Sequence, residues 1–308
     1  MNTRRIALIL SYDGTDFRGF QVQPETRTVQ GVVEAGLARL LEEPLRVHCA
    51  GRTDTGVHAS GQVVTFDTTS HGIPAEKIAI ALNSRLPSDV SAHGSRHVAD
   101  DFHARYSAVQ RTYRYWIYAA DVRDPLIDRY AARVRRLPSL ARLIAYSAEL
   151  LGTHDFTTFA SARDKSGTRV RKIDQASWHS RHGMLVFEIS ARSFMWHMVR
   201  SIVGMLLALD AMDAPAERMR EMIEAGDRSL AATTAAARGL HFYRVRYPAD
   251  ARFPGPPVAE YDIGVSRPSA GEGRTGMNRK PASEGSTSVN KRSAGERATP
   301  ADNTEERI

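Results

Sequence analysis

The chain has 308 residues, with 42 Lys and Arg against 35 Asp and Glu, a formal charge of +7. Hydrophobic residues make up 42% and charged residues 25%, the balance of a globular protein with room for roughly two domains. A single cysteine, Cys49, excludes an intrachain disulfide and a Cys-based zinc site and fits a reducing cytoplasm. Apolar runs such as residues 6–10 fall far short of the ~20 residues of a membrane span or the core of a signal peptide.

Taken in chain order, residues 5–12 read as a buried strand ended by Asp13-Gly14. Residues 29–43 read as a helix, because Val32, Val33, Leu37, Leu40 and Leu41 share one face. Residues 45–50 form a predicted strand, 51–56 a glycine-bracketed loop, 61–66 a further strand and 74–86 a helix opened by Pro74. Residues 110–118 alternate and are rich in aromatics, which predicts a strand. A helix over 138–151 is closed by Gly152. Residues 176–179 and 185–190 read as paired strands around His182-Gly183. An apolar helix over 194–209, a helix over 216–225 and a last strand over 241–247 complete the pattern. This order predicts an α+β protein in two halves that meet near residues 106–111, each half a largely antiparallel sheet covered by helices on one face.

Residues 249–308 differ in character. They hold nine basic and nine acidic residues, seven Gly, six Pro, six Ser and only two aromatics, Phe253 and Tyr261. Such a segment buries too little apolar surface to offset its ordering entropy, so the expectation is a disordered tail. Because that segment is neutral, the whole +7 belongs to residues 1–248. Arg129, Arg133, Arg135 and Arg136 form one basic cluster, and Arg163, Lys165, Arg169, Arg171 and Lys172 another. Arg105, Arg111 and Arg114 lie among Tyr113, Tyr115, Trp116 and Tyr118. Each cluster alone is consistent with a solvated surface; together, beside aromatic strands, they point to a polyanion, since cations neutralise phosphates and rings stack on unpaired bases, but charge alone does not separate RNA from DNA or from an acidic protein.

The densest polar segment between two strands is Gly51-Arg52-Thr53-Asp54-Thr55-Gly56-Val57-His58. Its glycine spacing resembles a phosphate loop, but Val57-His58 stands where Lys-Ser/Thr belongs. A metal site on Asp54 and His58 lacks further ligands at a characteristic spacing. A polar turn closed by an Asx bond of Asp54 and a catalytic carboxylate presented by a tight turn both remain open. Arg200, in the apolar run 194–209, adds a constraint: a buried Arg needs a partner, so it either reaches solvent or finds a carboxylate, Asp54 being a candidate across a cleft.

The chain resembles the tRNA pseudouridine synthase A family. The matching stretches run from about Arg5 to Pro248: Ser11-Tyr12-Asp13-Gly14, the Asp54 string from Ala50 to Ala59, Gly61-Gln62-Val63-Val64, Asp101-Phe102-His103-Ala104-Arg105, Tyr113-Arg114-Tyr115, His154-Asp155-Phe156, His197-Met198-Val199-Arg200 and Gly239-Leu240. The resemblance implies two related ferredoxin-like or RNA-recognition-like α+β domains with joined antiparallel sheets and an active cleft between them. Residues 1–107 would form the N-terminal domain with the aspartate loop, 108–248 the C-terminal domain that completes the cleft, and 249–308 the tail. It implies isomerisation of uridines 38, 39 and 40 in the tRNA anticodon stem-loop, in the cytoplasm, by a homodimer that uses no cofactor and no metal. Carried over by position, Asp54 is the catalytic residue, Tyr113 packs against the target base, Arg200 pairs with the carboxylate, and Arg52 assists base flipping. Phe20 in place of a frequent Trp, and Arg192-Ser193 before Phe194, depart from the family pattern.

The reaction detaches uracil at N1, turns it and rejoins it through C5, so atoms and redox state are conserved. Asp54 could attack C6, attack C1′ or remove a 2′ proton; each route needs an ionised carboxylate, which a cation within ~4–6 Å favours. Tyr113 offers a face for the free base and a hydroxyl for proton removal at C5. His58 reads as a structural loop residue. The rival readings are a non-catalytic tRNA-binding protein or RNA chaperone of the same fold, and a metal-dependent RNA hydrolase.

Overall fold

Residues Ile6 through Leu10 are too apolar for a surface, and they form the centre of β1 (Arg4–Tyr12), buried on both faces. The computed structural model describes residues 3–249, which fall within one unit, Met1–Arg267. Apart from Ala249, the predicted tail lies outside the described residues.

The first half runs β1, α1 (Val29–Leu41), β2 (His48–Cys49), β3 (His58–Thr68), α2 (Ile78–Asn83) and β4 (Val90–His97). The second runs β5 (Gln110–Ala119), β6 (Ala132–Val134), α3 (Leu140–Ala148), β7 (Gly152–Asp155), β8 (Val170–Arg181), β9 (Met184–Ala191), α4 (Met198–Ala211), α5 (Glu217–Glu224) and β10 (Leu240–Arg246). All ten strands join one mixed sheet in the order β4-β1-β3-β10-β5-β9-β8-β7, with β2 also on β3 and β6 also on β5. The class is therefore α+β, as the element pattern predicts.

Most neighbours are antiparallel, but the seam between the halves is parallel. It pairs His241 with His58 and Phe242 with Ala59. This seam explains a correction to the predicted strand over 45–50. Only His48 and Cys49 pair with β3, opposite Thr65 and Val64, and β10 takes the same edge of β3 further along. Three short or polar strands escape sequence patterning. β4, VSAHGSRH, contains a Gly and five other polar or charged residues at one end of the sheet; β6 and β7 have three and four residues.

Helix ends follow local chemistry. Thr28 caps α1 by accepting the Gly31 N–H at 3.3 Å, and Glu42 ends it in the left-handed region (φ 59°). Ser139 caps α3 through the Arg142 N–H. The predicted helix over 74–86 is a 3-10 turn at Ala75–Lys77 followed by the short α2. The β8–β9 hairpin turns on His182 (φ 49°) and Gly183 (φ 73°), the two left-handed residues of a tight two-residue hairpin.

β5 divides the core by its period of two. Tyr113, Tyr115 and Ile117 face the main core with α4, whereas Trp116 and Tyr118 join Ile127, Ala131, Met184 and Val186 in a second, smaller one. Both faces of β9 are consequently buried. α4 begins at Met198, not at Phe194 as its apolar run predicts. The Trp196 N–H donates to the Asp164 carboxylate at 2.7 Å and the Trp196 carbonyl accepts the Ser161 N–H at 3.1 Å, and these bonds hold the preceding turn out of the helix.

Candidate active site

The loop between β2 and β3 is shaped by backbone contacts from the first half. The buried Thr53 hydroxyl shares a 2.8 Å hydrogen bond with the Tyr12 hydroxyl, and Thr53 O accepts the Phe20 N–H at 3.0 Å. Gln62 donates to Gly51 O at 2.7 Å. The Val57 N–H closes a turn on Asp54 O at 3.1 Å, with Gly56 at φ 75°. Every one of these bonds fixes backbone or Thr53 and leaves the Asp54 carboxylate turned to other partners.

Those partners come from the start of α4, some 146 residues along the chain. Arg200 Nη1 lies 3.4 Å from Asp54 Oδ2, and His197 Nε2 lies 3.5 Å from the same oxygen. The side chains of Asp54 and Arg200 are 23% and 16% exposed, so the pair is reachable from solvent yet partly desolvated. Arg200 is aimed by a second bond, from Nε to Ala235 O at 2.8 Å. Of the two outcomes open to Arg200 in the sequence, it meets a carboxylate, and that carboxylate is Asp54.

Tyr113 sits on β5 opposite Phe242 and Ile189. It is 8% exposed and edge-on to Phe194 and Phe242, at 5.1 and 5.0 Å. Burial pushes its hydroxyl pKa up, with the Asp54 charge adding to the rise and the Arg111 cation opposing it. A phenol so placed stays protonated, so it can pass a proton only as a neutral group. Arg52 is exposed, two residues before Asp54.

Two residues escape a reading by composition. His197 belongs to a motif stretch, but only the fold turns its ring to Asp54; its backbone takes φ 64°, which few non-glycine residues adopt. Burial pulls its pKa down, with Asp54 pulling the other way. Arg111 is 7% exposed and donates from Nε to Ala50 O at 3.0 Å and from its two terminal nitrogens to the carbonyls of Arg105 and Arg192. It thereby ties the root of the Asp54 loop to both halves. The sequence hint was an Arg at the inward phase of an aromatic strand.

His58 has its recorded partners elsewhere. It accepts the Gly14 N–H on Nδ1 at 3.1 Å, lies 3.2 Å from Asp13, and stacks on His241 at 4.7 Å. Among the described residues no group of three or more His, Cys, Asp or Glu is arranged to hold a metal ion, and no helix is long and apolar enough to cross a membrane. A groove of about 510 Å³ adjoins the loop at Gly56 and carries Arg123, Arg129 and Arg238 on its walls.

A family profile described as tRNA pseudouridine synthase matches residues 8–107 and 147–248. Arg52, Asp54 and Arg200 fall inside those stretches, and Tyr113 lies between them. A Coxiella burnetii protein named tRNA pseudouridine synthase A is 38% identical over 257 residues, covering 83% of this chain and 98% of its own length. Proteins of the same name from Salmonella arizonae and Escherichia coli are each 40% identical, covering 82% of this chain and 94% of theirs. A solved structure titled "Crystal Structure of a Cbf5-Nop10-Gar1 Complex" is similar at a TM-score of 0.30 and 10% identity, over 77% of this chain and 57% of that one, a level that carries no argument. With matches of this extent to the profile and to the curated relatives, the chain belongs to the tRNA pseudouridine synthase family.

Proposed function

We propose that the chain converts uridines 38, 39 and 40 of the tRNA anticodon stem-loop to pseudouridine, with Asp54 as its catalytic residue. Family membership makes it an isomerase that acts on uridine in tRNA. The observation that carries the residue assignment is the meeting of Asp54 with Arg200 at 3.4 Å across the two halves of the chain.

In this reading the target nucleotide leaves the stem, at a cost of a few kcal/mol. Exposed Arg52 takes the vacated space or the flipped phosphate. Asp54 acts first, at C6, at C1′ or on the 2′ proton. Arg200 keeps a cation beside the partly buried carboxylate when the RNA covers it. Tyr113 lies against the detached uracil and prevents its escape while C5 turns to the sugar. The reaction is balanced in atoms and electrons, so it calls for no redox cofactor. The groove beside Gly56, walled by Arg123, Arg129 and Arg238 together with Asp128, supports a grip on phosphates that weakens with salt.

Residues 1–107 and 108–248 are two related ferredoxin-like domains, with the cleft between them. In support, β1-α1-β2-β3-α2-β4 places its strands in the order β4-β1-β3-β2, and β5-α3-β8-β9-α4-β10 repeats it as β10-β5-β9-β8. The protein works in the cytoplasm as a homodimer that holds tRNA across both copies. Sedimentation at twice the chain mass is the expected outcome for the dimer.

The decisive experiment incubates purified protein with unmodified tRNA, without added metal, and maps pseudouridine. Wild-type protein should modify the anticodon stem-loop. Asp54→Asn should lose conversion while tRNA affinity stays within several-fold. Retained conversion in that variant removes Asp54 from the chemistry. Binding without conversion by the wild type would favour the non-catalytic tRNA-binding alternative, and chelator-sensitive strand cleavage the hydrolase.

A further inference from the structure

At the surface His103 and Tyr106, on the stretch from β4 to β5, form a tilted stack with His48 of β2, the neighbouring ring planes 43° and 42° apart. His103 lies between His48, at 5.3 Å centroid to centroid, and Tyr106, at 4.5 Å. The Arg105 guanidinium lies 5.5 Å from the Tyr106 ring centre. Tyr106 is 72% exposed, and His48 and Arg105 are exposed as well. Single exposed rings are ordinary on proteins, whereas three in contact beside a cation are not explained by scatter.

The stack is held rigidly. His103 and Ser107 exchange hydrogen bonds, from Ser107 N–H to His103 O and from His103 N–H to Ser107 Oγ, both at 3.0 Å. His103 Nδ1 accepts the Arg105 N–H at 3.0 Å, which fixes the ring. Tyr247 donates to Ala104 O at 2.7 Å, and Arg5 to Phe102 O at 3.4 Å. Burial first, and then the cations around it, pull the His103 pKa down, so the ring stays neutral among arginines.

Its placement is set by Arg111. That one buried guanidinium holds Arg105 O and Ala50 O together, so the stack and the root of the Asp54 loop form one piece. Arg111 and Tyr113 are two apart on β5 and therefore share a face. His48 is six residues before Asp54, which limits their separation to about 20 Å, a span of a few nucleotides. Arg52, the cation of the loop, lies between them in sequence.

We propose that His48, His103 and Tyr106, with Arg105, form a stacking platform for unpaired bases that flank the uridine at Asp54. The proposal rests on the reading of this chain as an isomerase acting on RNA at Asp54. Aromatic rings give sequence-tolerant contact, because every base has a π face, and Arg105 adds a cation beside the same strand. The platform thus serves an enzyme that must hold neighbouring nucleotides while one is turned out.

The test uses the full chain, a tRNA transcript, and an anticodon stem-loop carrying 2-aminopurine at loop positions next to the targets. Tyr106→Ala should raise KM for tRNA roughly 5- to 100-fold, with the loss on KM and not on kcat. It should also abolish quenching of the 2-aminopurine on binding. Tyr106→Trp and Tyr106→Phe should restore both. Arg105→Gln should lower the salt dependence of binding by about one phosphate contact, which Tyr106→Ala leaves unchanged. Unchanged KM and quenching in Tyr106→Ala overturn the platform. If the wild type forms no pseudouridine, the function reading fails instead, and the quenching still decides whether bases stack there.

Discussion

Asp54 is held by long contacts, unlike Asp210 and Asp67. Arg142–Asp210 and Arg5–Asp67 close at 2.7 Å, whereas Asp54 meets Arg200 at 3.4 Å and His197 at 3.5 Å. Short charge-assisted bonds occupy the lone pairs of a carboxylate. Longer ones supply charge and leave an oxygen able to react. Arg200 can do so because its Nε is already committed to Ala235 O. A lysine has no such fork. Arg200→Lys should therefore lower kcat by roughly 10²- to 10³-fold with a smaller change in tRNA affinity, measured by single-turnover conversion and by filter binding. His197→Gln, which keeps an N–H near the carboxylate, should retain more activity than His197→Ala in the same assay.

At the scale of the element, the Asp54 loop depends on close backbone approach. A Cβ on Gly19, at φ 85°, would sit 2.8 Å from Thr53 O, the carbonyl that accepts the Phe20 N–H. Backbone cannot swing aside as a side-chain tip does. Gly19→Ala should cost roughly 1–3 kcal/mol of unfolding free energy, measured by urea denaturation, and should displace the loop, so that kcat falls further than stability alone explains. Gly72, with no atom near its Cβ position, is the control, and its Ala variant should stay within about 0.5 kcal/mol of wild type. Elements were legible where apolar periodicity was strong: β1, α1, β5, β9 and the body of α4. They were not where pairing did the work. β4 carries a polar sequence with Gly94 and is held by β1, and the start of α4 is set by Asp164 and Ser161, more than thirty residues upstream.

At the scale of the whole molecule, the halves meet at a seam rich in titratable groups. His241 stacks on His58, and its Nε2 bonds to Tyr130 O at 2.8 Å. Burial, with His58 adding to it, pulls the His241 pKa down to about 3. Between that value and about 6.5 the unfolded chain binds the proton that the folded chain refuses. This contribution to stability is complete above about pH 6.5 and is lost as pH falls towards 3, at up to about 1.4 kcal/mol per pH unit. Urea midpoints at pH 7.5 and pH 5 should show the loss, and His241→Gln should reduce it. In stronger acid Asp13 adds to the fall. Although its burial opposes ionisation, the neighbouring His58 and hydrogen bonds from Thr15 and Arg129 hold its carboxyl well below the usual carboxylate range.

The sequence by itself determined the mixed α/β content, most strand and helix positions, and the Gly51–Gly56 bend with an acid at its centre, because those follow from local periodicity and turn chemistry. It also narrowed Arg200 to two outcomes, since a guanidinium in an apolar run has few. Only the tertiary structure decided which outcome holds, brought His197 to the same oxygen, and made Arg111 a clamp on three carbonyls, two of them 61 and 81 residues away. Such contacts join residues up to 146 positions apart, and their geometry is set by how two half-sheets share the edge of β3, which no window of sequence contains.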